Sequence, residues 1–484
     1  MYYPSLNQFK EKAKSGNLIP VYRTICADMD TPVSAFKKID KSQSSFLLES
    51  VVGGERIARY SFLGTNPRSV ISPVDSGSMG ENPIKLLKSE MKKYTLVHTE
   101  GLPRFFGGAV GYFSYDQIRY IESIPSIAPD VLNIPDYIFF ITDTLLIFDH
   151  LTSKITVVSN AFIDGSCESA YEKAIINIEN IINLLNQNAP HVKCLEETNK
   201  NKVPLLDANF KKEDFKNAVL KIKEYISAGD IIQAVLSQRF ATKINCDSFD
   251  LYRAIRLINP SPYMFYFKHN EYKIIGSSPE LLVRLEDGIV TERPIAGTRK
   301  RGKTEAEDEA LAEELLADPK ERAEHIMLVD LARNDVGRVC EYGSVHVPDD
   351  ELMIIEKYSH VMHIVSQVKG NLMKGKDAFD VLSACFPAGT VSGAPKIRAM
   401  EIIEEIEPSR RGPYAGSVGY FSFSGNMDTC ITIRTMFLKG DVVYIQAGAG
   451  IVADSNPEKE YEETLNKAKA MVEALRLAEG GDKI

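Results

Sequence analysis

The sequence lacks both a cysteine framework and a long hydrophobic run. Its seven cysteines are scattered, odd in number, and never form a C-x-x-C pair. That spacing argues against disulfide scaffolds and zinc sites and is typical of reduced thiols in a cytoplasm. No apolar stretch approaches the ~18 residues typical of a membrane span, and the N-terminus has no apolar signal segment. We therefore expect a cytoplasmic protein with no membrane partner.

An excess of positive charge is also absent. The net charge is −9, and the basic residues between Arg299 and Lys303 are followed by the acidic stretch "EAEDEALAEE". A chain with this balance is unsuited to general nucleic-acid binding. Its 484 residues are 44% hydrophobic and 25% charged, which is typical of a globular protein with a large core. That length allows about two to four domains or one large α/β unit.

The pattern of strands and helices predicts the fold class. Most strand-like segments alternate polar and apolar residues and are joined by hairpin-like turns, with helices between them. We expect an α+β fold of large, interlocked antiparallel or mixed sheets flanked by helices. Residues 137–149 and 430–440 are predicted to be extended, and helices are predicted near 319–333 and 457–479.

Three regions follow one another along the chain. Residues 1–190 form an N-terminal region, 191–209 a polar linker punctuated by proline, and 210–480 a longer catalytic region. One local similarity connects the outer two: "GGAVGYFSYD" at 107–116 and "AGSVGYFSFS" at 415–424. The two segments are either equivalent strands of one interlocked architecture or two unrelated glycine-aromatic strands.

The stretch "ERAEHIMLVDLARND" (321–335) carries two glutamates on an otherwise apolar helix. An Asp-Pro pair begins this helix, and Glu321 takes the third position, where a capping box places a carboxylate. At 100° per residue, Glu321 and Glu324 share a face with Leu328 and Leu331. An unpaired charge on a buried face is costly, so a cation or a proton is expected beside these carboxylates.

A second Glu-x-x-Glu pair occurs in the helix near the C-terminus. Glu460 and Glu463 share a face with Lys467. Glu463 and Lys467 alone could be a surface pair at i,i+4 spacing. Two such helices together offer the all-oxygen ligands that Mg²⁺ prefers. A di-iron centre would need Glu-x-x-His spacing, and His325 follows Glu324 directly.

Two glycine-rich stretches resemble nucleotide-binding loops without meeting their requirements. "AGAGIVA" (447–453) is followed by too little chain for a βαβ unit, and "FPAGTVSGAPK" (386–396) lacks the G-K-[ST] ending. Both leave backbone N–H groups exposed near a helix start, which suits a carboxylate ligand.

Ten stretches together resemble the chorismate-utilising enzymes, and within them the large-subunit, component I family of anthranilate synthases. The stretches occur in the family's order: "GDIIQAVLSQRF" (229–240), "NPSPYMFY" (259–266), "GSSPELLVR" (276–284), "RPIAGTRKRG" (293–302), "ERAEHIMLVDLARNDVGRV" (321–339), "VMHIVSQVKG" (361–370), "FPAGTVSGAPK" (386–396), "YAGSVGYFS" (414–422), "CITIRT" (430–435) and "QAGAGIVADSNPEKEYEET" (446–464). The resemblance implies a lyase that converts chorismate and ammonia to anthranilate and pyruvate, the first committed step of tryptophan biosynthesis.

The resemblance also implies roles for individual residues. Glu324 and Glu463, with Glu460 nearby, are expected to bind Mg²⁺, and Glu321 matches the general acid that protonates the leaving hydroxyl. His363 matches the histidine of the second half-reaction, although a lone histidine among apolar residues is more often part of a core. The residues expected to contact substrate are Gly297, Thr298, Thr390, Tyr414, Arg434, Gly448, Ala449, Gly450 and Lys467.

Two positions distinguish members of the family. Isochorismate and salicylate synthases use a lysine to activate water at the position of Gln233, and an amide cannot take that proton. Aminodeoxychorismate synthases carry a lysine that attacks the ring where this chain has Ala296. The pattern favours direct addition of ammonia followed by pyruvate elimination. The alternatives are an aminodeoxychorismate or 2-amino-2-deoxyisochorismate synthase, or a non-catalytic binding homologue.

The ammonia source and the regulation are likewise implied by the resemblance. No nucleophilic-cysteine motif of an amidotransferase is present, so a separate glutamine amidotransferase subunit is expected, in a heterotetramer of two large and two small subunits. "SFLLES" and "NPSPYMFY" resemble the segments that bind feedback tryptophan. The tryptophan site is predicted at Glu49, Ser50, Pro262, Tyr263 and Met264. Tyr263 and Met264 could equally be ordinary strand core.

Overall fold

In the computed structural model the described residues are 1–51, 59–76, 81–188, 195, 206–358 and 361–480. Most of the predicted linker at 191–209 lies outside them, and the domain boundaries stay a prediction. The helices are α1 (Leu6–Lys12), α2 (Pro32–Ile39), α3 (Pro73–Ser76), α4 (Pro83–Met91), α5 (Cys167–Leu185), α6 (Lys212–Ala228), α7 (Ser248–Ile258), α8 (Glu305–Ala317), α9 (Pro319–Gly337), α10 (Ala378–Cys385), α11 (Gly389–Ser392), α12 (Lys396–Ile406) and α13 (Pro457–Glu479), with short 3-10 helices at Tyr115–Tyr120 and Asp349–Glu351.

The strands of the described chain pair antiparallel throughout. They are β1 (Leu18–Cys26), β2 (Ser44–Glu49), β3 (Tyr60–Thr65), β4 (Ser69–Ile71), β5 (Gly108–Phe113), β6 (Tyr137–Thr142), β7 (Thr144–Asp149), β8 (Lys154–Phe162), β9 (Asp207–Ala208), β10 (Gln233–Lys243), β11 (Tyr263–His269), β12 (Tyr272–Ser278), β13 (Leu281–Glu286), β14 (Ile289–Glu292), β15 (Ile295–Lys300), β16 (Ile354–Lys357), β17 (Val361–Val365), β18 (Val368–Asn371), β19 (Gly393–Ala394), β20 (Ser417–Ser422), β21 (Met427–Ile431), β22 (Thr435–Lys439) and β23 (Val442–Ile451).

Strands from both ends of the chain share the two large sheets. The 12-stranded sheet has the order β1-β8-β7-β3-β2-β11-β12-β22-β23-β10-β19, with β9 paired to β10, and the 8-stranded sheet has the order β18-β14-β13-β21-β20-β5-β6-β4. The similar segments at 107–116 and 415–424 supply β5 and β20, which pair directly with Gly111 opposite Gly419. The interlocked α+β fold is therefore confirmed, and the similarity reflects equivalent neighbouring strands.

The hydrophobic core has three main layers. Aromatic and branched side chains such as Phe62, Phe140 and Phe265 fill the space between the two large sheets. Helices α5, α7 and α13 pack on the 12-stranded sheet, and α9 and α10 pack on the 8-stranded sheet. Because each sheet is covered on both faces, its strands are apolar on both sides over much of their length. No helix in the described part of the chain has the length and apolarity needed to cross a bilayer.

Two segments predicted as extended runs are each broken in the middle. Residues 137–149 divide at Asp143, because β6 belongs to the 8-stranded sheet and β7 to the 12-stranded sheet. Residues 430–440 divide between β21 and β22, where Arg434 adopts a left-handed backbone with φ of 51°. Conversely, "AGAGIVA" (447–453) is not a loop leading to a helix, since β23 continues through Ile451. Hydrophobicity alone does not distinguish one long strand from two strands in different sheets.

A small third sheet completes the framework. It has the order β15-β17-β16 and packs against α8 and α9 through Leu315, Met362 and Ile364. In its register Thr298 lies opposite His363. This sheet therefore carries two of the predicted catalytic residues to the side of α9 that bears Glu321 and Glu324.

Candidate active site

The predicted catalytic and substrate-binding residues surround one large cavity. Its volume is about 770 Å³, within the range of small-molecule sites. The predicted residues that line it are Gln233, Gly297, Thr298, Glu321, Glu324, His363, Thr390, Tyr414, Arg434, Gly448, Gly450, Glu460, Glu463 and Lys467. Ala449 is the exception, because its methyl group lies in the core beside Phe215 and Ala399.

Two helices with matching starts supply the acidic wall of the cavity. Asp318 caps α9 and Asn456 caps α13, each followed by proline at the first helical position. Burial raises the pKa of Glu324, and the charges of Glu321 and Glu463 raise it further. Burial, and then the charge of Glu463, likewise raise the pKa of the Glu460 carboxyl, against a hydrogen bond from Ser455 that lowers it.

This acidic wall fits a divalent cation. All of its donors are carboxylate oxygens, the ligand type that Mg²⁺ prefers, and their mutual repulsion is relieved by positive charge. No three His, Cys, Asp or Glu side chains among the described residues form a complete metal-binding group. Mg²⁺ commonly takes one or two carboxylates from a protein and completes its coordination with water and substrate.

Lys467 bridges the acidic helix and the neighbouring strand. Its Nζ lies 2.6 Å from Oε1 of Glu463 and donates a 2.9 Å hydrogen bond to the carbonyl of Gly448. The ion pair predicted at i,i+4 spacing is thus present, and it lies in the cavity wall rather than on the outer surface.

Hydrogen-bond donors also line the cavity. Burial lowers the pKa of Arg434, whose Nη1 donates to the carbonyl of Lys467 at 3.0 Å. Burial also raises the pKa of Tyr414 to about 12, so its hydroxyl keeps its proton. A Cβ at Gly448 would lie 2.7 Å from the Tyr414 hydroxyl, and one at Gly450 would lie 2.3 Å from Nε2 of Gln233. A side chain at position 448 would therefore displace Tyr414, and one at position 450 would displace the amide of Gln233.

The third sheet holds His363 in contacts that determine the tautomer and the charge of its imidazole. Its Nδ1 lies 2.9 Å from the carbonyl oxygen of Gly297 and 3.0 Å from the hydroxyl of Thr298. Burial lowers the pKa of the imidazole, and the charge of Arg434 lowers it further. The ring is neutral near pH 7, with Nδ1 donating to the carbonyl and Nε2 available as a base.

Glu280 is a residue of the site that the sequence analysis did not identify. It lies between β12 and β13, is buried, and lines the cavity. Burial raises its pKa to about 8, although the Thr390 hydroxyl and the charge of Lys467 partly oppose that shift. A carboxyl group with this pKa holds a proton at neutral pH and can donate it. The signal was present in "GSSPELLVR", where a lone acid precedes a buried strand.

Glu321 has a different environment from Glu280. Its Oε1 lies 3.3 Å from Nη1 of Arg299. The same guanidinium also contacts Asp318 at 3.0 Å and Glu314 at 3.2 Å. Glu321 thus belongs to a charge network in which one guanidinium contacts three carboxylates.

A scan against family models identifies the chain. The model described as chorismate binding enzyme matches residues 43–473. The chain belongs to this family. It is 50% identical to anthranilate synthase component 1 of Acetivibrio thermocellus, with 99% of each chain covered. Anthranilate synthase component I of Streptococcus pneumoniae has a similar crystal structure, with 39% identity and a TM-score of 0.77 over 93% of this chain and 99% of that one.

A solved structure of lower sequence identity shares the fold. The menaquinone-specific isochorismate synthase of Escherichia coli is 21% identical, with a TM-score of 0.70 over 97% of this chain and 98% of that one. Against this common fold, the positions that distinguish family members lie in the cavity wall. Gln233 and Ala296 both line the cavity. The Gln233 Oε1 atom is buried and has no hydrogen-bond partner among the described residues.

A second, smaller cavity lies between the two large sheets. Its volume is about 60 Å³, and its lining includes all five residues of the predicted tryptophan site. Glu49 lies opposite Met264 in the β2 and β11 register and accepts hydrogen bonds from Tyr252 and Arg256. Tyr263 donates to Asp428 at 3.0 Å. The five residues are thus brought together, and two of them are already engaged in buried polar contacts.

Proposed function

We propose that the chain is the chorismate-converting subunit of an anthranilate synthase, a lyase of tryptophan biosynthesis. The reaction joins chorismate and ammonia and releases anthranilate, pyruvate and water. The observation that carries the proposal is the single cavity that collects the acidic wall, the arginine wall and His363, with Gln233 and Ala296 at its surface. Relatives across nearly the full chain are named anthranilate synthase component 1, which supports the same activity.

The first step adds ammonia at ring carbon C2 and expels the C4 hydroxyl. Hydroxide is a poor leaving group, so a proton has to reach it as the bond breaks. Glu280, protonated at neutral pH, gives that proton and water departs, while the ammonium group formed at C2 releases one proton to become the amine. Sequence resemblance assigns this role to Glu321, and the proposal favours Glu280 because Glu321 is paired with Arg299.

The second step makes the ring aromatic. Nε2 of His363 takes the proton from C2, and the C3–O bond breaks so that the enolpyruvyl group leaves as the enolate of pyruvate, which takes up one proton at its methylene carbon. Arg434 and Tyr414 hold the enolpyruvyl carboxylate, with the backbone N–H groups beside Gly448 and Gly450. A buried guanidinium suits this two-oxygen contact.

Glu324, Glu463 and Glu460 would hold Mg²⁺, which supplies positive charge for the ring carboxylate of the substrate. Without compensating charge, a dianionic substrate would be repelled by these carboxylates. Lys467 holds Glu463 in place through their ion pair.

Ammonia is proposed to come from a separate glutamine amidotransferase subunit, in a heterotetramer of two large and two small subunits located in the cytoplasm. The designation "component 1" in the relatives' names supports a partner component. Tryptophan is proposed to bind in the cavity between the large sheets and to inhibit the enzyme, since that cavity gathers the five residues predicted for it.

One assay tests the activity directly. The isolated chain is incubated with chorismate, MgCl₂ and ammonium at alkaline pH, and anthranilate is followed by its fluorescence. Formation of anthranilate and pyruvate in equal amounts is the expected result. Accumulation of isochorismate, or of an aminated cyclohexadiene without pyruvate, would overturn the assignment and identify a different member of the family.

A further inference from the structure

A small cavity lies on the far side of Glu280 from the active site. Its volume is about 30 Å³, and its lining includes Glu280, Glu292, Asp335 and Thr390. Glu280, Leu328 and Thr390 also line the active-site cavity, so they form the wall between the two spaces. A polar cavity of this volume has room for one or two water molecules.

Glu292 is a buried acid that the proposed mechanism does not use. It ends β14 with 9% of its surface exposed, and its Oε1 has no hydrogen-bond partner among the described residues. Burial raises its pKa well above the ordinary value, and the charge of Asp335 raises it further. Glu292 therefore holds a proton inside the protein, with an unsatisfied oxygen in a residue that lines the small cavity.

The polar groups continue beyond Glu292 toward the surface. Nζ of Lys396 lies 2.5 Å from Oδ2 of Asp335. The thiol of Cys385 interacts with the Glu292 carboxyl, and Arg293, the other charged residue of the cavity wall, is paired with Glu356. The side chain of Lys396 keeps 11% of its surface exposed. The series from Glu280 through Glu292 and Asp335 to Lys396 thus connects the active site with the outside.

We propose that Glu292, through water in the small cavity, returns a proton to Glu280 between turnovers. This inference rests on the proposed function, in which Glu280 loses its proton to the leaving hydroxyl. The carboxylate of Glu280 then receives a proton from the intervening water as that water takes one from the carboxyl of Glu292. Glu292 is reprotonated from solvent past Asp335 and Lys396. Glu280 thus regains its proton from the side of the small cavity while product still fills the active site.

The variant Glu292→Gln tests the relay, because the amide keeps the shape of a protonated carboxyl and does not shuttle protons. The first turnover, measured in a single-turnover experiment, should keep the wild-type rate, since Glu280 starts protonated. The steady-state kcat should fall by roughly tenfold, and the KM for chorismate should fall with it, so that kcat/KM stays at the wild-type value. Small weak acids such as acetic acid or imidazolium should restore kcat in proportion to their concentration.

Two further variants separate the relay from a structural role. Cys385 contacts the same carboxyl, and its replacement by alanine leaves both acids in place. The kcat of Cys385→Ala should therefore not depend on the concentration of buffer acids. Ala332→Val adds two methyl groups to the wall of the small cavity, so it should reproduce the behaviour of Glu292→Gln. Equal slowing of the first and later turnovers in Glu292→Gln, or a wild-type kcat in that variant, would overturn the proposal.

A measurement on the unliganded protein keeps the test independent of the activity. Infrared difference spectra should show, besides the protonated-carboxyl band of Glu280, a second such band that Glu292→Gln removes and Cys385→Ala retains, and this second band should shift in D₂O because water reaches the cavity. Persistence of the second band in Glu292→Gln, or its absence from the wild type, would overturn the proposal. Failure to form anthranilate would instead reject the proposed function.

Discussion

The carbonyl oxygen of Gly297 lies 2.9 Å from Nδ1 of His363. Because a carbonyl only accepts hydrogen bonds, this contact places the imidazole proton on Nδ1 and leaves the lone pair on Nε2. Burial lowers the pKa of the ring, which favours the neutral base. One backbone contact thus sets both the tautomer and the charge of the proposed base.

Replacing His363 by glutamine should stop the reaction after amination. The amide cannot take the C2 proton, so anthranilate formation should fall by roughly 100-fold or more while an aminated cyclohexadiene accumulates. Chromatography of the products, with pyruvate measured in parallel, checks this outcome. Thr298→Val removes the hydroxyl 3.0 Å from Nδ1 and keeps the ring, so it should have a smaller effect. Equal loss of both steps in His363→Gln would argue against a specific role in elimination.

Glu280 and Glu321 can be compared as proton donors. Glu280→Gln should lower kcat by roughly 100-fold or more, and Glu321→Gln should cost less because that carboxylate is already paired with Arg299. For the wild type, kcat/KM should fall as pH rises through about 8, where Glu280 loses its proton. The same decline should be missing from Glu280→Gln. If Glu321→Gln is the variant that loses this alkaline limb, the roles are reversed.

The pKa of Glu280 also affects stability. Its folded-state pKa of about 8 lies above the ordinary value of 4.5, so between those values the native state holds a proton that the unfolded state has released. The free energy of unfolding therefore loses about 1.4 kcal/mol per pH unit from this group as pH rises through that window. Glu280→Gln lacks this loss. In urea unfolding, the free energy of unfolding of the variant relative to the wild type should therefore rise between pH 5 and pH 8. A constant difference would mean that Glu280 is ionised at neutral pH.

Sequence patterns were sufficient for much of the site. The matching starts of α9 and α13, each a capping side chain followed by proline, fixed the faces that carry Glu324 and Glu463. Helical periodicity then placed both carboxylates inward, and the structure has them lining one cavity. Local rules succeeded here because a helix face is determined by spacing within one segment.

The packing of segments that are distant in sequence could not be predicted from these local patterns. The break at Asp143 depends on which sheet each half joins, and neither half carries that information locally. Glu280 was missed for a similar reason, since its burial and raised pKa come from neighbours such as Thr390 that are distant in sequence. Periodicity describes the environment of a segment and does not report what other segments bring to it.

The acidic wall predicts a metal dependence that can be measured by variants of one helix. Glu463→Gln should raise the Mg²⁺ concentration needed for half-maximal activity, because one oxygen ligand and one negative charge are lost. Glu458→Gln is the matched control, since Glu458 also lies on α13 but pairs with Lys212 outside the cavity. Titration of each variant with MgCl₂ gives the comparison. An equal shift in both variants would indicate a general charge effect.

The cavity between the large sheets predicts how tryptophan would act. Its volume of about 60 Å³ is too small for an indole with its amino-acid group, so binding should displace residues that line it. Tyr263 in its wall lies opposite Ser278 in the β11 and β12 register, two residues before Glu280, so that displacement reaches the acid of the active site. Ser50→Leu should fill the cavity and abolish inhibition by tryptophan, with the KM for chorismate unchanged. Calorimetry should then detect no tryptophan binding to the variant, whereas retained binding and inhibition would locate the regulatory site elsewhere.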